Sequence, residues 1–201
     1  MEILAVNVCA GSKSACVVDI HRDDHRRGGN RDLAMVRNKV RGKQVIYVAA
    51  YRGVSWISRR IQWWTWSRYS HVSLARRLPD GTWRNVEAWE GVGVRETDGP
   101  LSGHTPGTPI DLFAFRSPLT EVETERLWSL ALQELGRKYD YRGVLSFVLR
   151  RRMQRDGSWF CSELVADKCA QVGHPLFICE PWRVTPGMVA ESVALEYAFS
   201  M

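Results

Sequence analysis

Two segments joined by a turn constrain the fold of this chain most strongly. YSHVSLARR and TWRNVEAWE are separated by LPDG, in which Asp80-Gly81 is a turn signal. The pair predicts an antiparallel hairpin. The segment before it, QVIYVAAYR from Gln44, has the continuous apolar character of a buried strand, and IDLFAFR from Ile110 predicts a further strand.

Three other segments have the periodicity of helices. VSWISRRIQWWTW (residues 54–66) is amphipathic, and we expect its tryptophans to pack in the core because each has a large area to bury. LTEVETERLWSLALQELG is the clearest helix, since Thr120 and Glu123 have the spacing of a capping box. A third helix is predicted from Cys161 to Val172.

The positive charge of the chain is concentrated near its N-terminus. The 201 residues have a formal net charge of +6, and Arg22–Lys43 holds eight basic and three acidic residues, a net of +5. The composition predicts a basic, disordered arm over residues 1–43 and one globular domain over residues 44–201. That domain has nineteen basic and seventeen acidic residues, a net of +2, so we expect no nucleic-acid partner.

The number and spacing of the cysteines and the length of the apolar runs indicate the cellular compartment in which the protein is expected. The five cysteines are odd in number and have neither a CxxC pair nor metal-type spacing, which favours free thiols in a reducing compartment. The sequence predicts no signal peptide, because the first twenty residues lack a basic n-region. No apolar run approaches the roughly 20 residues of a membrane span. The expected location is cytoplasmic.

Cys161, in SWFCSELVADKC, is a candidate nucleophile. It begins a helix whose Leu164 and Val165 face a core, so one interpretation is a small buried apolar residue. The other is a reactive thiol. The dipole and N–H groups of a helix N-terminus stabilise a thiolate and could also stabilise the oxyanion that its attack on a carbonyl produces.

A thiol nucleophile needs a base and a residue that orients the base. His71 lies in the strand YSHVSL, which gives its ring a defined direction, whereas His104 and His174 are weaker candidates in loops. The next strand, WRNVEAWE, offers Glu87 and Glu90 on opposite faces. An odd number of hairpin-loop residues would place Glu87 on the face of His71, and a two-residue turn would place Glu90 there.

The order YSHVSL, VEA, FCSELV resembles the circularly permuted branch of the NlpC family of papain-like cysteine hydrolases. This branch includes YiiX- and YaeF-like proteins and is related in fold to lecithin retinol acyltransferase. KYDYRGVLSF, RGVSWISRRIQWWT and VTPGMVA resemble further pieces of the pattern, so that the resemblance covers roughly residues 45–190.

The resemblance implies an α+β, papain-like fold in which the nucleophile helix packs on an antiparallel sheet. It also implies a triad of Cys161 as nucleophile, His71 as general base and Glu87, which precedes Ala88 as in the family's EA pair, as orienting residue. Tyr139, Tyr141 and Glu90 are expected to line the site.

No metal or organic cofactor is expected for this chemistry. The resemblance implies a peptide or acyl-amide substrate, with cell-wall peptide amides as its class, in a bacterial or phage-associated setting. Two alternatives stay open: a lipid-directed acyltransferase or thioesterase of the same fold, to which the tryptophan-rich helix could contribute acyl-chain contacts, and a binding module without turnover.

Overall fold

This computed structural model of the chain describes residues 6–7, 16–17, 44–140 and 157–201. Strands β1 (Val6–Asn7) and β2 (Cys16–Val17) pair with each other in antiparallel fashion. The arm predicted over residues 1–43 otherwise lies outside the described residues. Tyr141, predicted to line the site, lies outside them as well.

The centre of the fold is a six-stranded antiparallel sheet with the order β10-β7-β3-β4-β5-β6. Its strands are β3 (Val45–Tyr51), β4 (His71–Arg77), β5 (Trp83–Trp89), β6 (Gly93–Thr97), β7 (Ile110–Phe115) and β10 (Leu195–Ser200). β8 (Lys138–Tyr139) and β9 (Ser158–Trp159) form a separate short parallel pair. The predicted strands at Gln44–Arg52 and Ile110–Arg116 are therefore confirmed.

The predicted hairpin is formed by β4 and β5. Residues 78–82 connect the strands, and the loop is closed by the backbone N–H of Leu78, which donates to the carbonyl of Thr82 over 2.9 Å. Within the loop, the N–H of Thr82 donates to Asp80 Oδ1 over 2.9 Å. Gly81 has a φ of +89°, a conformation that favours glycine. The loop has an odd number of residues, and the register pairs Leu74 with Val86. Glu87 is therefore on the face of His71.

Within the described ranges, four α-helices and one 3₁₀ turn accompany the sheet. They are α1 (Trp56–Thr65), α2 (Glu121–Leu132), α3 (Cys161–Gln171), α4 (Pro186–Ala190) and the 3₁₀ turn Pro181–Arg183. The capping box at the start of α2 is present: the Thr120 side chain accepts from the N–H of Glu123, whose carboxylate accepts from the N–H of Thr120. In the described part of the chain, none of the helices has the length and apolarity needed to cross a bilayer.

Helix α3 packs on β4 and β5 and brings the start of the helix to the sheet. Leu164 and Val165 are each 1% exposed and join a core formed with Val72, Leu74 and other apolar side chains of the sheet. Burying a leucine or valine side chain contributes about 1.5–3 kcal/mol. The expectation that these residues face the core is confirmed, and their packing fixes the position of Cys161.

The expected burial of the α1 tryptophans is wrong. No residue of α1 is buried; Trp56 and Trp63 are each 69% exposed, and Trp66, at the C-terminal cap, is 92% exposed. The helix turns Ile57 and Ile61 towards the protein instead. Periodicity shows that a helix has two faces, but it cannot show which of two partly apolar faces meets the sheet.

The cysteines also differ from the expectation of free thiols. Cys161 and Cys169 are free and buried, whereas Cys179 is disulfide-bonded. An odd number of cysteines leaves at least one of them unpaired within the chain, but the other four can still pair. Sequence spacing alone cannot decide which cysteines form disulfides.

Candidate active site

Three elements bring the predicted site residues together. His71 is the first residue of β4, Glu87 lies in β5, and Cys161 is the first residue of α3. His71 Nε2 lies 2.7 Å from Glu87 Oε2, and Cys161 is near enough to raise the pKa of the His71 ring. Because Nε2 pairs with Glu87, Nδ1 is the ring nitrogen that takes no part in this pair.

The carboxylate of Glu87 is fully buried and is held from several sides. Oε2 also contacts His104 Nε2 at 3.1 Å, and Oε1 accepts from Arg95 Nε at 2.9 Å. Arg95 Nη2 lies 2.7 Å from Oε1. Because its partners come from β4, β6 and the loop after β6, the carboxylate has one fixed orientation.

These contacts set the charge of Glu87. Burial raises the pKa of the Glu87 carboxyl, but hydrogen bonds from His104 and His71, together with the electrostatic effect of the two rings, outweigh it and hold that pKa well below its usual range. Glu87 is therefore an anion throughout the physiological pH range, as a residue that orients an imidazole must be.

The same arrangement sets the charge of His71. Burial lowers the pKa of His71, but the charge of Cys161 and a hydrogen bond to it, followed by the hydrogen bond and charge of Glu87, raise it to about 10. At neutral pH the ring is therefore an imidazolium between a carboxylate and a sulfur atom. Such a ring stabilises a thiolate and carries a proton that it can transfer.

Cys161 is 1% exposed and lies at the start of α3. Phe160, the N-cap residue, makes no side-chain capping hydrogen bond, so no hydroxyl or carboxylate from that position competes at the helix start. The other free thiol, Cys169, lies two turns further along, where burial raises the pKa of the thiol strongly. The two cysteines therefore occupy environments of different chemical character.

Aromatic side chains enclose the imidazole. Tyr51 stacks on His104 with ring centroids 4.2 Å apart and also contacts His71 at 5.0 Å. The ring of Trp89 meets both histidines edge to face, at 5.4 Å from His71 and 4.6 Å from His104, and the Arg95 guanidinium lies 4.4 Å from its centroid. These groups exclude water from the ion pairs and hold the rings in place.

Four of these residues were not predicted from the sequence: Tyr51, Trp89, Arg95 and His104 as a partner of Glu87. Arg95 had a detectable signal, because it is directly opposite Glu87 in the β5–β6 register, and opposite charges pair across strands. His104 had none, since it reaches Glu87 from a loop seventeen residues away.

A cavity of about 150 Å³ opens beside this cluster. His71, Trp89 and His104 line one side of it, and Ile57 and Ile61 of α1 line another. Glu90, the alternative orienting residue, is exposed and lines the cavity, and Tyr139 lines it as well. The structure thus places Glu87 beside the imidazole and Glu90 at the wall of the cavity.

Two histidines and a carboxylate are also a donor set that zinc accepts. The donor atoms of His71, Glu87 and His104 lie within 4.8 Å of one another. Zinc bonds of 2.0–2.1 Å in tetrahedral geometry place ligand atoms about 3.3 Å apart, whereas His71 and Glu87 are 2.7 Å apart and Arg95 occupies the second oxygen. In this arrangement the three side chains are hydrogen-bonded to one another, and the same three residues are a group that could hold a metal ion.

The fold and site define an α+β protein in which a cysteine at a helix start meets a strand histidine and a buried glutamate. No protein-family model and no curated protein matches this sequence. Among solved structures, the crystal structure of the metalloprotein YiiX from Escherichia coli O157:H7, a DUF1105 protein, matches with a TM-score of 0.62. Identity is 19%, and the match covers 80% of this chain and 98% of YiiX. The chain therefore has a YiiX-like fold.

Proposed function

We propose that this protein is a cysteine hydrolase of the permuted, papain-like NlpC type that cleaves an amide bond. The observation that carries the proposal is the arrangement of His71, with Glu87 at 2.7 Å from one ring nitrogen and Cys161, at the start of α3, interacting with the ring as well. The contact between His71 and Glu87 supports their proposed roles as base and orienting residue, and the position of Cys161 at a helix start supports its role as nucleophile.

The resting state for this reaction is a Cys161 thiolate beside a His71 imidazolium. The thiolate attacks the carbonyl carbon of the amide, and the oxyanion that forms is stabilised by N–H groups at the start of α3. His71 then donates its proton to the leaving amine as the carbon–nitrogen bond breaks. The products of this half-reaction are a free amine, a thioester on Cys161 and a neutral imidazole.

Water completes the cycle. Neutral His71 removes a proton from water as the water oxygen attacks the thioester carbonyl. The carbon–sulfur bond breaks, which releases the carboxylic acid and restores the thiolate and the imidazolium. Glu87 keeps its charge throughout and holds the ring through Nε2. The protein's own groups balance every proton in this sequence.

The substrate class that we propose is a peptide or acyl amide, and cell-wall peptides are the preferred case because of the resemblance in sequence order. The expected cytoplasmic or phage-associated location remains a prediction. The disulfide at Cys179 weighs against a reducing compartment, because such bonds persist mainly in oxidising environments.

The test is the pH dependence of iodoacetamide alkylation at Cys161, resolved by mass spectrometry on the native protein. An activated thiolate predicts fast reaction at pH 6–7 that is lost in His71→Ala. Cys169 is the internal control, because it is a second free thiol in the same helix. Burial raises the pKa of the Cys169 thiol, so it should react slowly. Reaction of Cys161 at the rate of an ordinary thiol, in both proteins, would contradict the proposal.

Turnover is the second part of the test. Amide cleavage in wall-peptide fragments should disappear in Cys161→Ala, with the circular dichroism spectrum unchanged. If fragments bind equally well to both proteins and neither cleaves them, the chain is a binding module of this fold.

A lipid-directed acyltransferase or thioesterase is the second candidate, and one observation favours it. The cavity beside His71 is lined by Ile57 and Ile61 of α1, the helix that exposes several tryptophans. Release of fatty acid from a lipid ester or thioester that depends on Cys161, with no cleavage of wall peptides, would favour this candidate over the amidase.

A further inference from the structure

The outward face of α1 combines indole and guanidinium groups. Trp56, Arg59, Arg60 and Trp63 are spaced at i, i+3, i+4 and i+7, which places them on one side of the helix, and all four are exposed. Soluble proteins seldom expose several large apolar side chains side by side, and such patches mark interaction sites.

The helix is held firmly in this orientation. The Ser55 side chain caps it by accepting from the N–H of Ser58 over 3.1 Å. The Gln62 side chain donates to the carbonyl of Gly53 at 3.1 Å and to that of Arg68 at 2.9 Å, on either side of the helix. The tryptophans are therefore exposed because the helix is anchored through its opposite face.

Trp66 extends the same surface under backbone strain. It has a φ of +52°, in the left-handed region, at a cap position where glycine is common. A residue with a side chain is disfavoured there, yet the chain has a tryptophan that is 92% exposed. Such strain at an exposed aromatic residue is typical of a functional surface.

The segment that carries these indoles has charges of one sign. The segment from Arg52 to Arg68 contains four arginines, and no acidic residue occurs between Gln44 and Pro79. Arg52 is paired with Asp111, which leaves Arg59, Arg60 and Arg68 as the exposed cations of this segment. A surface that this helix binds is therefore expected to be anionic.

We propose that the outward face of α1, together with Trp66, docks on an anionic lipid bilayer surface. Tryptophan is enriched where a membrane meets water, and helices that lie in that plane have aromatic groups and cations that reach lipid headgroups. A neutral glycan is a poorer occupant, because it has no negative charge to attract Arg59, Arg60 and Arg68.

Docking through this face would place the cavity at the membrane surface. Ile57 and Ile61, on the inner side of α1, line that cavity next to His71. Substrates that reach the site would then be ones that are presented at a bilayer. The proposal concerns membrane binding alone. It is therefore tested separately from amide cleavage, and its outcome does not depend on whether the protein cleaves amides.

The experiment is co-sedimentation of the full chain with vesicles of phosphatidylcholine, with and without about one third phosphatidylglycerol. We expect binding only to the anionic vesicles, weakened by added salt. Each arginine near an anionic surface contributes about fivefold, so Arg59→Gln/Arg60→Gln should weaken binding about 30-fold. Trp63→Ala/Trp66→Ala should weaken it about tenfold or more, because two indoles no longer insert.

Matched controls are available on other helices and loops. Arg126→Gln removes an exposed arginine on α2, and Ile178→Ala removes an apolar side chain that is 75% exposed. Both should bind the vesicles like the unaltered chain. All variants change exposed side chains, and unchanged thermal unfolding would show that they fold.

Three outcomes would overturn the proposal. The first is absence of binding to anionic vesicles at low salt. The second is binding that the α1 variants leave unchanged, which would assign the attraction to other basic residues such as those of 22–43. The third is retention on insoluble wall glycan that requires Trp63 and Trp66, without vesicle binding.

Discussion

Glu87→Gln tests the electrostatics of the site most directly, because it keeps the shape of the side chain and removes its charge. The contact that changes is the 2.7 Å pair between His71 Nε2 and Glu87 Oε2, in which the carboxylate is fully buried. A hydrogen bond to a charged group contributes about 1.5–3 kcal/mol. One pKa unit corresponds to about 1.36 kcal/mol, so the loss amounts to about one to two pKa units.

The pKa of His71 should therefore fall from about 10 to about 8 or 9 in Glu87→Gln. The direction follows from the charge: a carboxylate favours the imidazolium, and an amide does not. The pKa stays above its ordinary value because Cys161, whose contribution exceeds that of Glu87, remains in place. The measurement is an NMR titration of histidine ring signals, with the His71 signal assigned by its loss in His71→Gln.

Glu90→Gln is the matched control for this experiment. It makes the same chemical change in an exposed carboxylate that lines the same cavity, and it should leave the His71 titration where it was. Cys161→Ala should lower the pKa of His71 at least as far as Glu87→Gln does. The reasoning is refuted if Glu87→Gln leaves the titration unchanged, or if Glu90→Gln lowers it equally.

Two further predictions concern stability. Leu164→Ala should lower the free energy of unfolding by about 2–5 kcal/mol in a urea titration, because it opens a cavity between α3 and the sheet. Val122→Ala is the control: its side chain is 77% exposed, and the same titration should show a change of less than about 0.5 kcal/mol. Because the folded-state pKa of Glu87 lies below the unfolded value of 4.5, its contribution is present above pH 4.5 and is lost as pH falls below it. The free energy of unfolding, measured from pH 5 to pH 2, should accordingly fall less in Glu87→Gln than in the unaltered chain. An equal fall in the two proteins would contradict this prediction.

Local features of the fold could be predicted from the sequence because their causes are local. The Thr120 capping box depends on residues three positions apart, and the β4–β5 hairpin depends on the turn at Asp80-Gly81. The core face of α3 follows from a helical period that Leu164 and Val165 share. For each, the residues that decide the structure are neighbours in the chain.

Features that depend on residues distant in the chain could not be predicted from the sequence. Periodicity left Glu87 and Glu90 as alternatives beside His71, and the five-residue loop, which sets the β4–β5 register, places Glu87 there. His104 joins the cluster from a loop whose path no local pattern indicates.

The sequence by itself indicated the β4–β5 hairpin, the strands at 44–52 and 110–116, three helices and the residue types that could perform thiol chemistry. The tertiary structure alone decided that the carboxylate beside His71 comes from Glu87 and that the tryptophans of α1 face outward. The physical reason is that strand register and helix orientation are set by packing against residues distant in the chain, whereas caps, turns and periodicity are set by neighbours.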